Sequence, residues 1–205
     1  MKATETGNVG RAYNALSLAA AIRGEPYYLS ELTSAAASSA LALKDTDATL
    51  SASLKEAAIK GTEEVLKENP KNTSFWRTAI RTYYDLTLLD DSLNPKLLSI
   101  FDTTINLAPT DPKLLYKKAI VLGNLDRSTE AIEVLNKAIK LKPNYTDAYF
   151  ALALFYFDAG DHLGAVTNLR NVLKIAPGDS AALDKLNEWG KEGIATDEAN
   201  IQSNR

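Results

Sequence analysis

Residues 111–179 read DPKLLYKKAIVLGNLDRSTEAIEVLNKAIKLKPNYTDAYFALALFYFDAGDHLGAVTNLRNVLKIAPGD. Pro109, just before this stretch, and Pro143 and Pro177 within it fall at equal intervals of 34 residues. The surroundings of each proline recur. Two residues before it stands Leu107, Leu141 or Ile175, and six after it stands Leu115, Tyr149 or Leu183. Twelve before it stands Ala131 or Ala165, with Leu97 as the exception. A period of this length predicts a helix–turn–helix unit repeated along the chain.

The second unit shows why each repeat makes two helices. Tyr149, Leu152, Ala153 and Tyr156 follow the spacing of one helical face, which predicts a first helix over 146–158. Gly160 ends it, because glycine accepts the left-handed backbone of a helix stop. Asp161 is the expected N-cap of a second helix, with Ala165, Leu169, Val172 and Ile175 inside. Pro177 closes it, since proline cannot continue the hydrogen-bond ladder. The first unit repeats the scheme with Leu115, Ala119 and Leu122, then Ala131, Leu135, Ala138 and Leu141. Small residues at the two close crossings, aromatics in the first helix and a terminal proline resemble the tetratricopeptide repeat (TPR) family. The resemblance implies an all-α, TPR-type α-solenoid: a right-handed superhelix of antiparallel helix pairs with a C-terminal capping helix.

Working outward, the intervals lengthen. The spacing from Pro70 to Pro109 is 39 residues and from Pro26 to Pro70 is 44. The expected layout is one helical-repeat domain over 1–190. It comprises a partial repeat at 10–26, a long hairpin at 27–70, a hairpin at 71–109, repeats at 110–143 and 144–177, and a capping helix at 180–190. Residues 191–205 read as a flexible tail. In the long hairpin, Tyr28, Leu32, Ala35, Ala36 and Leu43, then Leu50, Leu54, Ala58, Val65 and Leu66, are the expected inner residues. The extra length of the next unit is assigned to a turn at 89–94, where Asn94 and Pro95 start a helix. Leu183, Leu186 and Trp189 are the expected inner face of the cap, which Gly190 and Gly193 end. The run at 10–23 opens inside a repeat, so Met1 reads either as the edge of an excised fragment or as the start of a short native tail.

Composition narrows the function. A net charge of −3 and a pI near 5.3 argue against a nucleic-acid surface. With no cysteine there is neither a disulfide framework nor a thiol catalyst, and the compartment stays open. The most apolar run, 148–157, spans ten residues where a membrane span needs about twenty. His162 alone cannot make a metal site and reads as a polar turn residue. Neither a phosphate loop nor a nucleophile elbow is present. Asp90 with Asp91 and Glu63 with Glu64 read as solvated charge, and the sequons at Asn72 and Asn144 as repeat turns. No catalytic residue, metal or cofactor is expected.

The TPR resemblance implies instead a peptide-binding concave face lined by the first helix of each pair. Counted from each proline, the outward positions are Arg77, Arg81 and Tyr84, then Tyr116 and Ile120, then Phe150, Leu154 and Phe157. These eight are the candidate groove, cationic at one end and aromatic at the other. Phe150 and Phe157 also fit an ordinary core role. TPR adaptors that hold chaperone tails carry Lys, Asn and Arg at the offsets filled here by Tyr116, Ile120, Phe150 and Leu154, so chaperone tails are not expected partners.

The unequal repeats, with Glu25-Pro26-Tyr27-Tyr28 and the run from Asn69 to Trp76, also resemble the TPR tails of bacterial O-antigen ligase-like membrane proteins. Three readings follow. The first is a non-catalytic scaffold for a protein or peptide of unknown identity. The second is an accessory domain of a membrane protein in surface polysaccharide assembly. The third is a homo-oligomer through repeat ends.

Overall fold

A computed structural model of the chain describes residues 25–191. The expected partial repeat at 10–26, apart from its last two residues, and the expected tail beyond 191 lie outside that range. The described residues form nine α-helices and no strand. They divide into two compact units, Met1–Pro109 and Thr110–Arg205.

The first unit contains α1 (Pro26–Leu43), α2 (Ala48–Glu68), α3 (Thr73–Thr87) and α4 (Asn94–Leu107). Pro26 sits in the first turn of α1, where its missing N–H costs nothing. Asp47 caps α2 through Leu50 N–H, and Asn72 caps α3 through Ser74 N–H. The extra residues before α4 form a short 3-10 turn, Asp91–Leu93, capped by Asp90, and Asn94 and Pro95 open α4 as expected.

The α1–α2 pair corrects the expected core. The buried face of α1 is Ser30, Thr33, Ser34, Ala36, Ala37, Ser39 and Ala40, while Tyr28, Leu32, Ala35 and Leu43 are only half-buried. Leu50 is exposed, whereas Leu54, Ala58, Val65 and Leu66 are buried as expected. The reason is a close crossing. A Cβ built on Gly61 would lie 2.6 Å from the Thr33 methyl, so only small residues fit there. Thr62 Oγ1 of α2 is buried without a hydrogen-bond partner, but three other buried hydroxyls of the pair keep theirs. Thr33 donates to Ser30 O at 2.8 Å, Ser39 to Ala35 O at 2.6 Å and Ser51 to Ala40 O at 2.7 Å. The larger apolar residues pack elsewhere: Phe75, Ile80, Tyr83 and Leu86 of α3 are buried, as are Leu97, Ile100 and Phe101 of α4.

The second unit contains α5 (Pro112–Asn124), α6 (Ser128–Leu141), α7 (Thr146–Asp158), α8 (His162–Ile175) and α9 (Ser180–Lys191). Its two helix pairs close in the same way. Asp126 and Gly160, 34 residues apart, both adopt the left-handed conformation, with φ of 58° and 79°. The hydrogen bonds match as well. Asp126 N–H and Gly160 N–H donate three residues back, to Gly123 O and Phe157 O. Arg127 N–H and Asp161 N–H donate five residues back, to Leu122 O and Tyr156 O, at 2.9 and 2.8 Å. This is the Schellman closure, which satisfies carbonyls a helix end leaves free.

The core of this unit is small at the crossings and larger between them. Ala119, Ala131, Ala138, Ala153 and Ala165 are fully buried, together with Leu122, Leu135, Leu152, Leu169 and Val172. A Cβ on Gly123 would run into the ring of Phe155, so α5 and α7 meet where α5 has no side chain. The repeat pattern overreaches at three positions. Leu141, Ile175 and Leu183 are exposed rather than inner. In α9 Trp189 is buried and Leu186 half-buried against the core as expected, with Ala182 rather than Leu183 completing the inner stripe. Gly190 does not end the helix, which continues to Lys191. The Trp189 ring lies flat on Phe157, with centroids 4.4 Å apart and planes 6° from parallel.

Candidate functional site

Arg77, Arg81 and Tyr84 lie on α3, in the first unit. With Leu88 just past the helix they form one exposed stripe at helical spacing. Arg81 is already engaged by α1: its guanidinium pairs with Glu31 at 3.1 Å, and its Nε donates to Ser34 Oγ at 2.8 Å. Ser38 donates to the Asp85 carboxylate at 2.5 Å one turn further along. The cationic end therefore belongs to a charge-balanced seam between α1 and α3.

The other five candidates belong to the second unit. Tyr116 and Ile120 lie on α5, and Phe150, Leu154 and Phe157 on α7; all are half-buried. Phe150, Leu154 and Phe157 pack against the core of Ala153, Ala165, Val166, Leu169, Val172, Ala182 and Trp189. Phe157 is the most committed to that role, through its stack on Trp189.

Tyr116 and Phe150 come together at an open pocket of about 210 Å³. Thr146, Asp147, Asp179 and Ala181 complete its lining. The pocket thus sits at the first turns of α7 and α9, beside α5. Asp179 is held in place because it caps α9, accepting from Ala182 N–H at 2.9 Å. Asp111 does the same for α5 through Lys113 N–H. Tyr145 occupies the equivalent place before α7 but is buried and caps nothing. Instead its ring lies 5.5 Å from that of Tyr116, and Lys142 Nζ sits 4.5 Å over it.

Burial pushes the Tyr145 hydroxyl up to about 12, with the charges of Asp147, neighbouring Tyr116 and Asp111 adding to it. Burial, then Asp147, also raises Tyr116. Asp147 and Asp179 make the lining of the pocket acidic. The offsets from the prolines pick out the two rings but not Asp147, Asp179, Thr146 or Ala181. Thr146 and Asp147, and Asp179 and Ala181, are helix-start positions a few residues after Pro143 and Pro177, and that offset was the available signal.

His162 differs from its expected role as a turn residue. It is the first residue of α8, its ring lies 5.2 Å from that of Phe157, and its Nδ1 is buried without a hydrogen-bond partner. Among the described residues no three His, Cys, Asp or Glu side chains converge for a metal ion. No helix among them is long and apolar enough to cross a membrane. Two of the four carboxylates noted in sequence have structural partners: Asp90 pairs with Lys55 and caps the 3-10 turn, and Glu63 pairs with Lys96.

Comparison with known proteins agrees with this geometry. Residues 127–160 match a TPR repeat model and residues 146–179 a tetratricopeptide repeat model. Over 80 residues the chain is 30% identical to the peroxisomal targeting signal receptor of Kluyveromyces lactis, a match spanning 39% of this chain and 14% of that receptor.

Among solved structures, that of MamA is 24% identical with a TM-score of 0.58, covering 75% of this chain and 88% of that one. A thermophilic TPR protein from Thermus thermophilus is 17% identical with a TM-score of 0.56, covering 87% and 89%. The first TPR of Spaghetti (RPAP3), bound to the HSP90 peptide SRMEEVD, is 18% identical with a TM-score of 0.51, covering 58% and 91%. The helix pairs, the repeated Schellman turns and the two matched models identify tetratricopeptide repeats over residues 127–179, in a chain whose fold is that of solved TPR structures.

Proposed function

We propose that the chain is a non-catalytic scaffold that binds a protein or peptide segment along the face presented by the first helices of its pairs. The observation carrying this reading is the pocket where Tyr116 and Phe150 meet at the first turns of α7 and α9. Half-buried rings held on a rigid helical frame give large contact area at little entropic cost on binding. Ile120 and Leu154 extend the same face one turn further along α5 and α7. The solved Spaghetti repeat, which holds a peptide, supports the general mode. Its acidic peptide does not transfer, because Tyr116, Ile120, Phe150 and Leu154 stand where a carboxylate clamp would carry Lys, Asn and Arg.

The test is selection of peptides from a random library on the intact chain, followed by titration of each against variants. Tyr116→Ala and Phe150→Ala should each weaken binding by roughly tenfold or more. Leu141→Ala and Ile175→Ala, on α6 and α8, should leave it unchanged. Peptides that bind all four variants like the parent would sink this reading.

A further inference from the structure

The same pocket points to the chemistry of what it takes. Resting on the reading above, we infer that it receives the guanidinium of an arginine side chain from a basic peptide segment. The lining supplies two aromatic rings, Tyr116 and Phe150, two carboxylates, Asp147 and Asp179, and the Thr146 hydroxyl, with no cationic residue among them. Asp179 commits its Oδ1 to the α9 cap, which fixes the carboxylate at the rim. Asp147 is exposed in the first turn of α7, and no Lys or Arg among the described residues pairs with it. After burial, its charge adds to the upward shift of the nearby hydroxyls of Tyr116 and Tyr145.

A planar cation fits these groups better than other ligands. Guanidinium stacks on aromatic faces and donates in a fork that matches a carboxylate. An acidic peptide would bring like charge against Asp147 and Asp179. A purely apolar one would leave the carboxylates to be desolvated without a partner. Lys142 sits over Tyr145, which is not among the pocket-lining residues. The pocket's negative character is thus matched by a ligand of opposite sign.

The test uses the full, isotope-labelled chain and three end-blocked peptides, Ala-Leu-Arg-Leu-Ala and its citrulline and Glu counterparts. Citrulline keeps the shape of arginine and removes its charge. The arginine peptide should shift the amides of Tyr116, Asp147 and Phe150 and bind roughly tenfold tighter than the citrulline peptide. Added salt should narrow that preference, and Asp147→Asn should abolish it without disturbing the rest of the spectrum. Equal shifts from all three peptides at these amides overturn the charge assignment and leave docking on α5 and α7 standing. Shifts confined to α6 and α8 overturn both. The absence of any shift at the three amides overturns the arginine assignment.

Discussion

The repeated turn can be tested by making one substitution at two glycines. Gly160 has φ of 79° and nothing within 4 Å of where its Cβ would stand. Gly178 is also open within 4 Å but does not lie in the left-handed region. Gly160→Ala therefore adds a methyl with room to spare and pays only for the backbone, about 1–2 kcal/mol for a left-handed residue with a side chain. It recovers about 0.4–1 kcal/mol because alanine restricts the unfolded chain. The net expectation is a loss of about 1 kcal/mol. Gly178→Ala keeps only the second effect and should gain about 0.4–1 kcal/mol. Urea unfolding followed by far-UV circular dichroism measures both, and the thermal midpoints should move in opposite directions by about 2–4 °C per kcal/mol.

Asp126 supplies an internal check, because it already holds the same conformation with a side chain at φ of 58°. Asp and Asn tolerate this region better than other residues. Gly160→Asp should accordingly cost less than Gly160→Ala. If Gly160→Ala and Gly178→Ala shift stability equally, the left-handed closure of the α7–α8 turn is wrong.

Other expectations follow from packing and ionisation. Trp189→Ala removes a fully buried ring stacked on Phe157 and should cost about 3–5 kcal/mol, read as a lowered unfolding midpoint and faster proteolysis within α9. Gly123→Ala should cost about 1–3 kcal/mol because the methyl meets the Phe155 ring; Phe155→Leu in the same chain should recover part of it. Tyr83 is raised to about 12, first by burial and then by Glu63, and Tyr145 is raised to about 12 as well. Each lies above the ordinary value near 10, so its contribution to stability is complete below pH 10 and is lost as pH rises through about 12. Unfolding midpoints against pH, with tyrosinate absorbance followed in parallel, should show that loss, and Tyr145→Phe should reduce it.

The sequence carried the helix boundaries well because they rest on local chemistry. Pro109, Pro143 and Pro177, Gly160, Asp161 and Asn94–Pro95 act within a turn or two of themselves, and each stands where the helix starts or stops. Burial was less legible, because which face points inward depends on neighbours distant in sequence. The α1–α2 crossing buries Ser, Thr and Ala against Gly61 and leaves Leu50 outside, a choice made by the closeness of two axes rather than by hydrophobicity. In α9 Trp189, stacked on Phe157, and Leu186 face inward as expected, but Ala182 takes the inner place at the helix start and leaves Leu183 outside.

The candidate site was legible as ring positions, since Tyr116 and Phe150 share an offset from their prolines. Its charge was not. Asp179 reads in sequence as an ordinary N-cap and Asp147 as an ordinary first-turn acid. Only the packing of α5, α7 and α9 puts them beside the same two rings. Likewise Arg81 reads as a ligand for an anion until α1 brings Glu31 to it.

The central claim is that ligands dock on the first helices of the pairs. Amide shift mapping of the labelled chain with a library-selected peptide tests it most directly. The account predicts shifts concentrated on α5 and α7, at Tyr116, Ile120, Phe150 and Leu154, with α6 and α8 unchanged. Shifts concentrated around Leu141, Leu163 and Ile175, the exposed apolar residues of α6 and α8, would contradict it.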